Sequence, residues 1–290
     1  MISRRIFLKN GISVVAASAL GTLMAQEASH QSFKIGACDW SLGKSSDIGS
    51  FEMARQIGLQ GLMVNMGSKE NNLHLRQPAV QQQFIAESAR TGVAIASLAI
   101  GELNNYPYKS DPQTEEWVFD SIAVARNLNV PVVLLAFFNK NDLRGDEKGI
   151  REVINRLKKV APEAEKQGII LGIESYLDGR DHLRILEAVG SKNIKVYMDF
   201  RNTADAGHDV LKELRLIGKD NICELHMKEN GTLLGKGSLP WHAIKELLVE
   251  MNYHGDGWMQ IESSNPEGTD VMSNYKQNLL FLQQLFANKS

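Results

Sequence analysis

The chain has 290 residues, of which 43% are hydrophobic and 23% are charged, and its formal net charge is −2 at pH 7. This length and composition allow a sizeable buried core, and ~250 residues is a routine length for a single α/β barrel domain. The charge argues against a nucleic-acid-binding surface, which is usually basic.

The first 25 residues resemble a twin-arginine-type export signal. Arg4 and Arg5 precede an apolar stretch over residues 11–23, and a plausible cleavage point follows Ala25. The stretch is short and contains Gly, Ser and Thr, whereas a membrane-spanning helix needs ~20 mostly apolar residues, so cleavage is favoured over anchoring. We predict a signal over 1–25, a catalytic domain over 26–290, a periplasmic location and no stable membrane insertion after signal removal. Loss of the three positive charges of Arg4, Arg5 and Lys9 changes the net charge from −2 to −5.

From residue 33 onward, short apolar runs alternate with longer amphipathic runs. The apolar runs predict eight strands, beginning near Lys34, Gly61, Val93, Val130, Gly168, Ile194, Ile222 and Gly257. The amphipathic runs, with apolar residues three and four positions apart, predict eight helices over 51–57, 78–90, 115–128, 149–167, 182–189, 210–217, 241–251 and 271–286. Cys38 and Cys223 lie far apart inside apolar runs, which predicts buried free thiols.

The alternation of strand and helix predicts an α/β fold with a parallel sheet. Continuous apolar strands are typical of parallel sheets that are buried on both faces. Eight strand–helix units within ~260 residues fit a single closed (β/α)8 TIM barrel. An open doubly wound sheet is the competing fold, but no G-x-G-x-x-G follows the first strand.

Four chemically reactive residues stand at the ends of the last four predicted strands. They are Glu174, Asp199, His226 and Glu262, spaced by 25, 27 and 36 residues, or about one strand–helix unit each. In a parallel barrel these strand ends share the face on which active sites are built. Three carboxylates crowded there would repel one another without a cation. The set therefore predicts one divalent ion, Mn²⁺, Mg²⁺, Co²⁺ or Zn²⁺.

The chain from about residue 33 to its C-terminus resembles the xylose isomerase-like barrel superfamily. This superfamily comprises sugar phosphate isomerases and epimerases and also includes endonuclease IV. The stretch that carries most of the resemblance is LHMKENGTLLGKGSLPW, in which a strand-end His precedes a G-x-G-x-L-P-W loop over residues 235–241. The resemblance implies that Glu174, Asp199, His226 and Glu262 bind one metal ion, and that the two glutamates also act as acid and base.

A sugar isomerase or epimerase is the leading functional hypothesis. In this chemistry a divalent ion stabilises the enediolate that forms when a proton leaves the carbon next to a carbonyl. Glu174 and Glu262 would remove and return that proton as the catalytic residues. Because periplasmic export would bring the enzyme to unphosphorylated compounds, a free sugar or keto-sugar derivative is the expected substrate.

Four further residues are candidates for substrate binding. Lys228 follows His226 by two positions, so along a strand it faces the same way, although an exposed loop lysine is equally consistent. Trp40 could stack on a sugar ring or cap the barrel. His208 and Glu229 are placed in site-facing loops, where solvated polar side chains are also common.

Three other functions are alternatives to an epimerase. A 3-keto-glycoside lyase or hydrolase would use the same metal and base but expel a substituent. An endonuclease is disfavoured, because the first four strand ends offer no evident His or Glu set and the charge opposes nucleic acid. A non-catalytic carbohydrate-binding barrel would not need four metal ligands. Barrels of this kind often pair, so homo-oligomerisation stays open.

Overall fold

Eight parallel strands close into a barrel in a computed structural model of the chain, which describes residues 33–255 and 257–287. The strands are β1 (Lys34–Cys38), β2 (Gly61–Asn65), β3 (Ala94–Ile100), β4 (Val132–Phe137), β5 (Ile170–Ser175), β6 (Ile194–Asp199), β7 (Ile222–Lys228) and β8 (Trp258–Glu262). Each strand pairs with the next in sequence, and β8 pairs with β1. The predicted (β/α)8 barrel is thus confirmed, while the predicted export signal lies outside the described residues.

Helices follow the strands and cover the outside of the barrel. They are α1 (Gly49–Ile57), α2 (Pro78–Thr91), α3 (Gln113–Leu128), α4 (Glu147–Gln167), α5 (Gly179–Val189), α6 (Phe200–Asp205), α7 (Val210–Ile217), α8 (Trp241–Glu250) and α9 (Val271–Phe286). The eight predicted helices are confirmed, with ends that shift by three residues or fewer. Helix α6 was not predicted, because it starts directly after β6 without an apolar repeat of its own.

Local sequence signals set many of the helix ends. The side chains of Asp146, Asp178 and Asp209 cap α4, α5 and α7 by accepting backbone N–H groups of the first turn. Helices α1 and α4 end at Gly58 and Gly168, whose φ angles of 96° and 69° lie in the left-handed region that glycine adopts without strain. These short-range signals explain why the alternation could be recognised in the sequence.

The core has two parts, one between the strands and the helices and one inside the barrel. The interior cluster includes Cys38, Met63, Tyr197 and Cys223. Both cysteines are buried and free, as predicted. A polar group lies in the same interior, where Glu224 accepts hydrogen bonds from Ser97 and Tyr197. Within the described residues, no helix has both the length and the apolar character that crossing a membrane requires.

Candidate metal centre

Glu174, Asp199, His226 and Glu262 meet at one end of the barrel. Asp199 and Glu262 are the last residues of β6 and β8, and Glu174 and His226 lie within the final three residues of β5 and β7. Asp199 is paired in register with His226 across β6 and β7. Because adjacent parallel strands end on the same face, the four side chains converge although 88 residues separate the first from the last.

The four side chains are close enough to share one ion. One potential ligand atom from each residue lies within 4.8 Å of all the others. His226 Nδ1 is 2.9 Å from Glu174 Oε1, 3.5 Å from Glu262 Oε2 and 3.8 Å from Asp199 Oδ2. All four residues are buried, so their charges are poorly solvated.

The imidazole of His226 is held on both sides. Its Nε2 lies 3.3 Å from Cys38 Sγ, and its ring packs against Tyr197 with 4.5 Å between ring centroids. Nδ1 is therefore the nitrogen that faces the three carboxylates. A ligating histidine normally gives its second ring N–H to an acceptor that fixes the tautomer, and Cys38 is in position for that role.

The charge balance of the cluster fits a cation. Burial raises the pKa of Asp199 to about 7, with Lys228 opposing the rise and the neighbouring glutamates adding to it. Burial disfavours protonated His226, but Glu174 and Glu262 outweigh burial and raise its pKa. Asp199 Oδ2 is buried and accepts no hydrogen bond from any described residue. Three carboxylates, one of which has an oxygen without a hydrogen bond, and one imidazole form a donor set suited to a divalent ion.

Lys228 supplies positive charge at the cluster. Its Nζ lies 2.8 Å from Glu262 Oε2 and 3.5 Å from Asp199 Oδ2. Burial opposes the charge of Lys228, but the surrounding carboxylates raise its pKa well above the usual value. Burial likewise opposes ionised Glu262, yet Lys228 and His226 lower the pKa of this carboxyl to about 2. The ammonium therefore pairs with part of the negative charge that an ion would neutralise.

Two neighbours orient the glutamates. Trp40 Nε1 donates a hydrogen bond of 2.9 Å to Glu262 Oε1. Asn202 Nδ2 donates a hydrogen bond of 3.0 Å to Glu174 Oε1, and the Asn202 backbone N–H binds Asp199 Oδ1. Asn202 was missed in the sequence, although an Asp followed three residues later by Asn is a signal for a capped first helical turn. Its placement depends on the unpredicted helix α6.

A cavity of about 620 Å³ opens above the cluster. Glu174 and Glu262 line it, as do Trp40 and Lys228. Two of the four predicted substrate contacts are therefore at the cavity, where Trp40 and Lys228 also bind Glu262.

The other two predicted substrate contacts, His208 and Glu229, lie elsewhere. His208 is in the connection between α6 and α7 and borders a separate surface pocket with Asp178 and Lys212. Glu229 is buried, and its Oε1 accepts hydrogen bonds from Trp241 Nε1 at 3.0 Å and from Leu239 N at 3.2 Å. Glu229 is thus used to hold the loop after β7 and does not line the cavity.

The G-x-G-x-L-P-W motif is explained by the same contacts. A Cβ atom at Gly237 would collide with the carboxylate of Glu229, and one at Gly235, where φ is 76°, would collide with the Phe281 ring. Glycine at these two positions lets the loop pass close to Glu229 and Phe281. The motif therefore shapes the loop after β7 and contributes none of the four clustered ligand atoms.

Comparison with known proteins identifies one matching family. Its sequence profile, described as Xylose isomerase-like TIM barrel, matches residues 51–285. D-psicose 3-epimerase of Enterocloster bolteae is 27% identical over 133 residues, which cover 43% of this chain and 43% of that protein. 3-oxo-isoapionate decarboxylase of Pectobacterium atrosepticum is 25% identical over 165 residues, which cover 48% of this chain and 58% of that protein.

Solved structures show the same fold. The structure of D-psicose 3-epimerase from Clostridium cellulolyticum with D-tagatose superposes with a TM-score of 0.72 and 17% sequence identity. The match covers 88% of this chain and 100% of that chain. The chain thus spans about half the length of the two relatives that it matches in sequence, whereas its fold matches over nearly the whole barrel.

Proposed function

The chain belongs to the xylose isomerase-like TIM barrel family, and on that premise we propose that it is a divalent-metal-dependent sugar isomerase or epimerase. The observation that carries the proposal is the buried cluster of Glu174, Asp199, His226 and Glu262, of which the two glutamates line a cavity. A binding protein has no need for acids and bases next to a metal site, whereas proton transfer beside a carbonyl requires both.

Glu174 is suited to remove the proton. Its Oε1 is engaged by Asn202 and His226, whereas Oε2 has no hydrogen-bond partner in the described part of the chain and the residue lines the cavity. Oε2 takes the proton from the carbon next to the substrate carbonyl. The electrons of the broken C–H bond form a C=C bond, and the carbonyl oxygen receives the negative charge. A divalent ion bound by the four side chains would supply the positive charge that stabilises this enediolate.

Glu262 would return a proton from the other side of the substrate, after taking up that proton from solvent before the step. It ends β8, three strands away from Glu174, and it is held by Trp40 on one oxygen and by Lys228 on the other. Return to the opposite face of the carbon inverts its configuration. Delivery to the former carbonyl carbon, with the hydroxyl proton of the deprotonated carbon passing to the former carbonyl oxygen, exchanges a ketose with an aldose. The roles of the two glutamates exchange when the reaction runs backwards.

The cavity favours an unphosphorylated sugar. Among the described residues that line it, Lys228 is the one cationic side chain, and it already pairs with Glu262. Phosphate groups usually bind arginine or lysine side chains, or the N-terminus of a helix. The export predicted from the first 25 residues favours the same substrates, because phosphorylated sugars are mostly intracellular.

Exchange of substrate hydrogen with deuterated water tests this proposal. In the metal-loaded protein, Glu174→Gln and Glu262→Gln should each lower the exchange rate of a keto-sugar by at least about 100-fold, because each removes one proton carrier. Glu250→Gln, which changes an exposed helix glutamate paired with Arg215, is the matched control and should retain the rate. Unchanged exchange in either site variant would disprove that residue's role. Release of a free alcohol from a keto-glycoside would instead identify the lyase reaction.

A further inference from the structure

The cavity extends from the four clustered side chains to the opposite side of the barrel mouth. Because the strands close in sequence order, the ends of β2, β3 and β4 stand across the barrel from those of β6, β7 and β8. Seven polar residues on or after β2, β3 and β4 line that side, and we call them the far wall: Asn65, Ser68, Asn71, Glu102, Asn104, Asn105 and Asn139. The far wall and the cluster thus border one continuous cavity.

The cavity is larger than one sugar ring requires. A water molecule takes up ~30 Å³ in the liquid. If each non-hydrogen atom of a hexose took up the same volume, the whole sugar would occupy about 360 Å³. Covalent bonding packs these atoms more densely than water, so this figure is an upper bound. A single hexose therefore leaves more than a third of the 620 Å³ cavity unfilled.

The loop after β2 fixes Asn71 at the far wall. Asn71 Oδ1 accepts hydrogen bonds from Ser68 N at 2.9 Å and from His74 N at 3.2 Å. A Cβ atom at Gly67, where φ is 121°, would lie 2.7 Å from Asn71 Oδ1, so the loop needs glycine there. These bonds leave Asn71 Nδ2 without a partner among the described residues. The far wall therefore presents a preorganised amide donor.

Glu102 supplies an acceptor at the far wall. Its side chain accepts hydrogen bonds from Lys69 N and Asn105 Nδ2, each at 3.1 Å, and the residue is 8% exposed. Among the described residues, no lysine or arginine forms an ion pair with it. Each carboxylate oxygen can accept more than one hydrogen bond, so Glu102 has acceptor capacity left for hydroxyl groups. An amide donor and a carboxylate acceptor that forms no ion pair suit a neutral, hydroxyl-rich ligand.

We propose that the far wall binds a second sugar unit, attached to the keto-sugar that reacts at the four clustered side chains. The identity of the reacting unit rests on the proposed function, whereas binding at the far wall does not require turnover. The substrate class is then a keto-glycoside with a polar, uncharged second unit, such as a keto-disaccharide. Hydroxyls of this unit donate to Glu102 and accept from Asn71 Nδ2.

The test compares substrates with and without the second unit. Deuterium exchange into 3-keto-cellobiose and 3-keto-maltose is measured against methyl 3-keto-glucoside with the metal-loaded full chain. Two or more added hydrogen bonds predict at least a tenfold higher kcat/KM for one of the disaccharides. Asn71→Ala and Glu102→Gln should each lower this preference at least threefold. Asn155→Ala, an exposed amide on α4 outside the cavity, should retain it.

The outcomes separate this proposal from the proposed function. Exchange at equal kcat/KM for all three sugars, or a preference that Asn71→Ala leaves unchanged, would overturn the second sugar site while keeping the epimerase. If no keto-sugar exchanges, the proposed function fails, and calorimetric binding of unoxidised cellobiose, maltose and glucose decides the second site. Tenfold tighter binding of a disaccharide that is lost in Asn71→Ala would support the site, and equal binding of all three would overturn it.

Discussion

Replacing Cys38 by alanine should weaken binding of a divalent ion without unfolding the barrel. An imidazole that ligates through Nδ1 must carry its proton on Nε2, and Cys38 Sγ lies 3.3 Å from that atom. Burial, with added effects of Glu262 and Glu174, raises the pKa of the Cys38 thiol, so its sulfur is an uncharged, weak acceptor. Alanine would leave the Nε2–H buried and unpaired.

The geometry bounds the size of the effect. A buried N–H without a partner costs about 1–3 kcal/mol, and loss of a group that orients a ligating histidine typically costs about 10–100-fold in metal affinity. Because tenfold corresponds to about 1.4 kcal/mol, the two ranges agree. Since sulfur is a weak acceptor, we expect the lower end, about tenfold. The other tautomer cannot replace this arrangement, because its proton occupies Nδ1, and Nδ1 then has no lone pair with which to bind the ion.

Competition with a fluorescent chelator for Mn²⁺ or Zn²⁺ measures this affinity. Cys223→Ala is the matched control, since Cys223 is the other buried thiol and its Sγ binds the Val196 carbonyl at 3.3 Å, away from the cluster. Cys38→Ser should restore most of the affinity, because a hydroxyl accepts the N–H. His226→Ala should abolish tight binding.

If the metal affinity of Cys38→Ala stays within about threefold of that of the unmodified protein, the reasoning is refuted. Cys38 would then not be the acceptor that fixes the tautomer of His226. An equal loss in Cys223→Ala would attribute the effect to general loosening of the barrel interior.

Two further substitutions test the roles of Glu229 and His182. Glu229→Ala should lower the free energy of urea unfolding by about 3 kcal/mol, because it leaves Trp241 Nε1 unpaired. A higher KM with an unchanged free energy of unfolding would instead indicate substrate contact. Burial lowers the pKa of His182 to about 4, although the Asp178 carbonyl opposes this. The unfolded chain takes up a proton at this residue below about pH 6.5, whereas the folded chain does not, so the free energy of unfolding falls as the pH drops. His182→Gln should remove about 2 kcal/mol of this fall between pH 7 and pH 5. An unchanged pH dependence would contradict the assignment.

The four-residue cluster could be predicted because its spacing follows the fold. Glu174, Asp199, His226 and Glu262 each end an apolar run, and parallel strands in a barrel place their C-terminal ends on one face. Strand and helix periodicity are local properties, so the sequence alone determined the number and order of the units. The convergence of the four side chains then follows from topology, without knowledge of any side-chain contact.

Loop residues could not be placed in this way. Glu229 is three residues after His226 and looked like a candidate for the cavity, but the chain turns after β7 and the carboxylate points to Trp241. His208 falls beyond helix α6, whose existence depends on the Asp199 cap and not on an apolar repeat. The direction of a loop side chain depends on backbone turns, and period-based reasoning does not describe those turns.

The sequence by itself determined the barrel and the residues that could hold an ion. Only the tertiary structure decided what surrounds them. Trp40 contacts Glu262 across 222 residues because closure of the barrel brings β1 beside β8. Cys38 contacts His226 of β7 across 188 residues because both side chains lie inside the closed barrel. The far wall likewise exists only because β2, β3 and β4 face the cluster across the barrel mouth. Contacts between distant segments depend on closure and on loop conformation, and neither leaves a periodic signal in the chain.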